Sequence, residues 1–248
     1  MRTGLVSVTF RQLGVEEVVD VAAEAGLAAI EWGGDVHVPL GDLGAARKAR
    51  ELCAERGLAI AAYGSYLRAG SVDREEIRTA VTTAAELGAP RIRVWAGAVG
   101  TADAGVGDRM AVTRGLAELA DVAAGAGIEI AMEFHRGTLT DEVDSTITLL
   151  LDVGAPNLTT YWQPPVGLDD ATCLDQLEAL MPWLSTVHVF SWWPSNTRLP
   201  LAARESLWRP VLKRLATEER EINALLEFVA DDSVTQLATD AASLHSWV

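Results

Sequence analysis

One unit recurs along this chain and limits what it can become: an Ala-rich helical stretch, a glycine or glycine–proline stop, then a short apolar run. The stops are Gly26, Gly57, Gly88 with Pro90, Gly127, Gly154 with Pro156, and Pro182. Glycine just past a helix end supplies the left-handed residue a C-terminal cap needs, and proline beyond it blocks continuation. Helices are expected near 15–25, 42–56, 73–87, 107–125, 141–153, 170–181, 203–217 and 232–246. Their apolar residues recur at i, i+3 and i+4, as in Val18, Val21, Ala22 and Ala25. Between them lie apolar segments at 6–10, 27–32, 58–63, 91–95, 128–133, 157–162, 184–190 and 222–228. Near-continuous apolar strands belong to sheets covered on both faces. Strict strand–helix alternation then implies a parallel sheet with right-handed crossovers. Eight units in 248 residues favour an α/β fold of one closed (β/α)₈ TIM barrel, a single domain over 1–248.

Composition narrows the function classes. A formal charge of −15 argues against nucleic acid as a partner. No apolar run approaches the ~20 residues of a membrane span, and the first residues lack a secretory pattern. Cys53 and Cys173 sit apart in helical stretches without metal-ligand spacing, which suits reduced thiols in a cytoplasmic protein.

Barrels of this kind carry their chemistry at the C-terminal ends of the strands. The segment Ile128–His135 runs from an apolar strand straight into Glu133 and His135, which share one side of an extended chain. Glu133, His188 and Glu227 occupy similar places in strands five, seven and eight, and Gln163 adds an amide oxygen from strand six. Alone, His188 reads more readily as a core histidine, and each glutamate as a rim ion-pair partner. Together the four form a convergent set suited to Mn²⁺, Mg²⁺ or Co²⁺ rather than structural zinc. Trp32, Trp95, Trp162 and Trp192 are candidates for a wall against a hydroxylated ring, or for packing. His37, Tyr66, His135 and Arg198 are further candidates for substrate contact, Arg198 as a clamp on an oxygen.

These residues carry a resemblance. Gly26–Trp32, Glu133–Asp141, Trp162-Gln163-Pro164, Val187-His188-Val189 and Leu226-Glu227-Phe228 resemble the xylose isomerase-like barrel superfamily, with its sugar phosphate isomerases, epimerases and AP endonuclease relatives. The resemblance implies a divalent metal held by Glu133, Gln163, His188 and Glu227, with Gln163 standing where the family has an aspartate. Val166 stands where a histidine is often found, which speaks against multi-metal nuclease chemistry. It implies an isomerase or epimerase that moves a proton next to a carbonyl, using Glu133 and Glu227, on a sugar, cyclitol or related polyol. A lyase or dehydratase acting on a keto-sugar, or a barrel that only binds a polyol, is the alternative. A homodimer is compatible with the sequence but not required by it.

Overall fold

The structure, a computed structural model, describes residues 1–247; the last residue of the expected domain, Val248, lies outside the described residues. Eight strands alternate with eight helices. The strands are β1 (Arg2–Val6), β2 (Ala29–Gly33), β3 (Ala59–Arg68), β4 (Arg91–Trp95), β5 (Glu129–Met132), β6 (Leu158–Trp162), β7 (Leu184–Val189) and β8 (Asn223–Leu226). All pair in parallel, and β1 closes the ring by pairing with both β2 and β8. The helices are α1 (Val15–Glu24), α2 (Leu43–Glu55), α3 (Arg74–Leu87), α4 (Val106–Ala124), α5 (Val143–Val153), α6 (Asp170–Leu180), α7 (Glu205–Leu215) and α8 (Val234–Ser246). Among the described residues, no helix is long and apolar enough to cross a membrane.

Caps fall where the sequence puts stop and start residues. Asp73 opens α3 by accepting the amides of Glu75 and Glu76, and Gly88 ends it at φ 77°. The main core lies between strands and helices, where Leu5, Ile30, Ile92, Ile130, Val187 and Leu226 are buried. Period-two alternation sends their neighbours inward. The barrel interior sets four small side chains, Ala29, Ala61, Ala62 and Ala131, beside Val6 and Leu225. That economy leaves space inside for Glu31, Arg93, Tyr161 and His188, all essentially buried.

The first strand departs from expectation. The sequence pattern predicts β1 at 6–10, but the strand is Arg2–Val6, and Ser7–Phe10 is a buried 3₁₀ turn. Gly4 lets β1 approach β2, since a Cβ there would stand 2.4 Å from the Ala29 carbonyl oxygen. The polar members of the expected strand act as acceptors instead. Ser7 Oγ receives the Gly33 N–H, and Thr9 Oγ1 receives the Phe228 N–H, so this turn fastens the ends of β2 and β8. Cys53 and Cys173 are free and buried.

Candidate active site

A cavity of about 510 Å³ opens at the C-terminal ends of the strands. Its floor carries Arg93, Glu133, Gln163 and Glu227, and its walls include Tyr66, Trp95, His135, Trp192 and Phe228. Each floor residue is inward by parity: Arg93 lies two before Trp95 on β4, and Glu133 two after Ala131 on β5.

The four side chains singled out from the sequence come together. His188 Nδ1 stands 3.2 Å from Gln163 Oε1, 3.5 Å from Glu227 Oε2 and 4.0 Å from Glu133 Oε1. In octahedral coordination at about 2.1 Å, adjacent ligand atoms are about 3 Å apart and opposite ones about 4 Å. These are the atoms that could hold a cation. Among the described residues, no cluster of His, Cys, Asp and Glu is spaced for a metal ion as it stands.

Two further residues share the interior without having been assigned a role from the sequence. Arg93 pairs with Glu133 through Nη1 and with Glu31 through Nε, the latter at 2.9 Å. Trp95 Nε1 donates to the same Glu133 oxygen, Oε2, leaving Oε1 toward His188. The indole is held from both sides, with Arg68 4.0 Å from its centroid and His135 stacked at 5.3 Å. Gly64 leaves the room: a Cβ there would lie 2.8 Å from Glu31 Oε1 and 2.9 Å from Arg93 Nη2.

Charge in this interior does not balance. Glu31, Glu133 and Glu227 are three buried carboxylates against one buried guanidinium. Burial and the nearby Glu133 carboxylate push Glu227 up to about 7, against the pull of His188 and Arg93. His188 is opposed by burial, yet the carboxylates of Glu227, Glu31 and Glu133 carry it up to about 9. Burial would raise Glu31 too, but His188, Arg93 and Tyr161 outweigh it and bring it down to about 2. Glu133 is likewise held low, by Arg93 first, despite burial.

A pH dependence of stability follows. Glu227 and His188 both have raised values in the fold, from ordinary values of 4.5 and 6.5. Each therefore contributes stability that is whole below its ordinary value and is lost as pH rises through about 7 and then about 9. The two groups act on each other, so their contributions are shared, and the pair together is worth roughly 3 kcal/mol. Glu31 and Glu133 act at the other end, losing their contribution only as pH falls below 4.5. Chelator-treated protein should therefore melt about 10 °C lower at the alkaline end of this window than in mild acid. A melting temperature flat across it, followed by circular dichroism, would contradict the buried charge pattern.

Three expected substrate contacts are elsewhere. Trp32 is wholly buried on the outer face of β2, because its neighbour Glu31 takes the inner one. His37 is a core histidine: Nε2 is 3.1 Å from the Leu13 carbonyl oxygen, and its ring lies edge-on to Trp32. Arg198 pairs with Asp232 and lies 4.8 Å over the Phe228 ring, outside the cavity lining. It sits on a two-stranded ribbon of Ser191–Trp192 and Arg198–Leu199, where the acid following β8 takes its charge. Trp162, a fourth candidate for the wall, is also buried outward, against Trp208. Tyr66, Trp95, His135 and Trp192 do line the cavity. Tyr66 donates to Asp35 and accepts from Arg11 at the rim.

Comparisons with known proteins agree with this architecture. The model of the xylose isomerase-like TIM barrel family matches residues 19–189. A 3-dehydroshikimate dehydratase of Bacillus anthracis is 30% identical over 104 residues, 40% of this chain and 35% of that protein. The alignment thus spans about a third of that relative's length. A crystal structure described as a probable 3-DHS dehydratase from Bacillus anthracis superposes with a TM-score of 0.85 at 19% identity, over 99% of both chains. A 3-keto-D-glucoside 4-epimerase from E. coli superposes at 0.77 with 16% identity, again over 99% of both.

Proposed function

The chain belongs to the xylose isomerase-like TIM barrel family, and from that premise we propose that it is a divalent-metal-dependent enzyme moving a proton on a carbon next to a carbonyl. Its substrate is a small sugar, cyclitol or related polyol. One observation carries the reading: donor atoms from β5 to β8 gather around His188 Nδ1 beside an interior with more buried carboxylates than cations.

The residues fit such a cation. Glu133 Oε1, Gln163 Oε1, His188 Nδ1 and Glu227 Oε2 would hold it, and the oxygen-rich set suits Mn²⁺, Mg²⁺ or Co²⁺. With His188 neutral as a ligand, three buried carboxylates against Arg93 leave two negative charges, which a divalent ion offsets. Once bound, the ion would supply Lewis acidity toward adjacent substrate oxygens.

Glu133 and Glu227 are the carboxylates within reach of a substrate on this floor. Glu227 is the better proton carrier, since Arg93 pairs with Glu133 and not with Glu227. Glu133 is held ionised by Arg93 and Trp95 and orients the charge around it. His135 and Tyr66 are placed to contact substrate oxygens, and Trp95 and Trp192 exclude water from the reacting carbon.

A dehydratase is the second reading. It is favoured by the 3-dehydroshikimate dehydratase relative, and it uses the same proton removal followed by loss of a neighbouring hydroxyl. A cytoplasmic location and a homodimeric state belong to the same proposal.

The test is incubation in D₂O with Mn²⁺ and a panel of D-fructose, D-allulose, an inosose and 3-dehydroshikimate. Deuterium is expected at the carbon next to the carbonyl of at least one substrate. A product lighter by one water selects the dehydratase; an isomeric product selects the isomerase. Mn²⁺-loaded protein that exchanges no carbon-bound proton anywhere in the panel sinks the proposal.

A further inference from the structure

We propose that Glu31 is a positioning residue that fixes the tautomer of His188, turning its Nδ1 toward the cavity as a cation ligand; the inference rests on the metal site proposed above. A neutral imidazole offers one lone pair. The nitrogen that ligates is decided by what holds the proton on the other.

The two nitrogens of His188 face different surroundings. Nδ1 faces the oxygens of Gln163, Glu227 and Glu133. Nε2 is buried, has no partner within hydrogen-bonding distance, and stands 3.7 Å from Glu31 Oε2. A shift of the imidazole by about 1 Å toward β2 makes that contact an ordinary N–H···O bond.

Glu31 is itself held in place. Its Oε1 faces Arg93 Nε at 2.9 Å, and its Oε2 accepts the Tyr161 hydroxyl at 2.8 Å. Tyr161 comes from β6, on the far side of the ring from β2, and its ring packs edge-on to the imidazole at 5.1 Å. None of Glu31, Tyr161 and His188 has any exposed surface. A carboxylate so deeply buried is costly unless both oxygens are used; Arg93 lies against Oε1, and the Tyr161 hydroxyl leaves Oε2 a second lone pair on the side of Nε2. A glutamine could not replace it. Its single oxygen cannot accept from both Arg93 and His188, and its amide would donate toward Nε2 and favour the wrong tautomer.

The experiment is calorimetric titration of chelator-treated protein with Mn²⁺, for the wild type, Glu31→Gln and Tyr161→Phe. Glu31→Gln should weaken binding ~10- to 100-fold, the range for loss of a partner behind a ligating histidine. Tyr161→Phe should give a smaller loss in the same direction, and it keeps the test decisive if Glu31→Gln does not fold. In the Mg²⁺-loaded wild type, ¹⁵N spectra of labelled histidine should show His188 protonated at Nε2. Glu31→Gln should shift that signal toward the other tautomer, a change that a merely packing role would not produce. Wild-type protein that binds Mn²⁺ while both variants bind within about twofold of it overturns the role of Glu31 and leaves the proposed function standing. Wild-type protein that binds no Mn²⁺ overturns both.

Discussion

Replacing Arg93 with methionine is expected to cost the fold about 3–5 kcal/mol, the range for removing one partner of a buried ion pair. Arg93 is 4% exposed and is the cation shared by Glu31 and Glu133. Burial works against its charge, yet Glu133, Glu31 and Glu227 together hold the guanidinium protonated. Methionine fills similar volume but leaves the two carboxylates without the guanidinium between them. Thermal melting of the variant should fall by about 10 °C or more at neutral pH. The deficit should shrink in acid, where protonation of Glu31 and Glu133 removes the repulsion. A melting point within a degree or two of wild type would mean that the guanidinium is not needed to hold the barrel interior together.

Glu227→Gln carries the largest expected effect on activity. The substitution keeps an oxygen near His188 but removes the carboxylate proposed to take and return the proton. Loss of a general acid–base residue costs ~10² to 10⁴-fold, and a weakened cation site adds to that. With Mn²⁺ saturating, kcat for whichever panel substrate is turned over should drop by roughly 10³-fold, and deuterium wash-in should fall with it. A variant that retained wash-in while losing product formation would place Glu227 after the proton-removal step and assign the first transfer to Glu133.

Most of the fold could be read from the chain because the helix stops are chemically unambiguous. Gly88 and Gly154 take left-handed backbone where the spacing requires it, and α3 and α5 end there. The first strand was misplaced for a local reason. Val6–Phe10 alternates like a strand, whereas Arg2–Gly4 shows no apolar pattern; its pairing is fixed by the neighbouring backbones of β2 and β8. At the site, Glu133, Gln163 and Glu227 were legible because each follows an apolar run, and His188 because it interrupts one. Trp32 and Trp162 stand in the sequence as candidates for the cavity wall or for packing, and parity decides for packing. A residue next to an inward Glu31 or Tyr161 must face the helices, so strict alternation excludes both. The same rule could have found Arg93, since Arg-Ile-Arg-Val-Trp alternates charge and bulk along a strand with two buried faces. What no pattern supplied was the pairing of Arg93 with Glu31 on β2. That contact depends on the empty place at Gly64 and on a tyrosine reaching across from the opposite wall.

The Tyr161–Glu31 bond also decides how molecules pass through this protein. With that phenol, Arg93 and His188 stopping the barrel's middle, the cavity is a blind well and not a channel. Whatever enters past Tyr66 and Trp192 must leave by the same rim, so the departing molecule and its successor compete for one doorway. Turnover is then open to limitation by evacuation, and a product that lingers there acts as its own inhibitor.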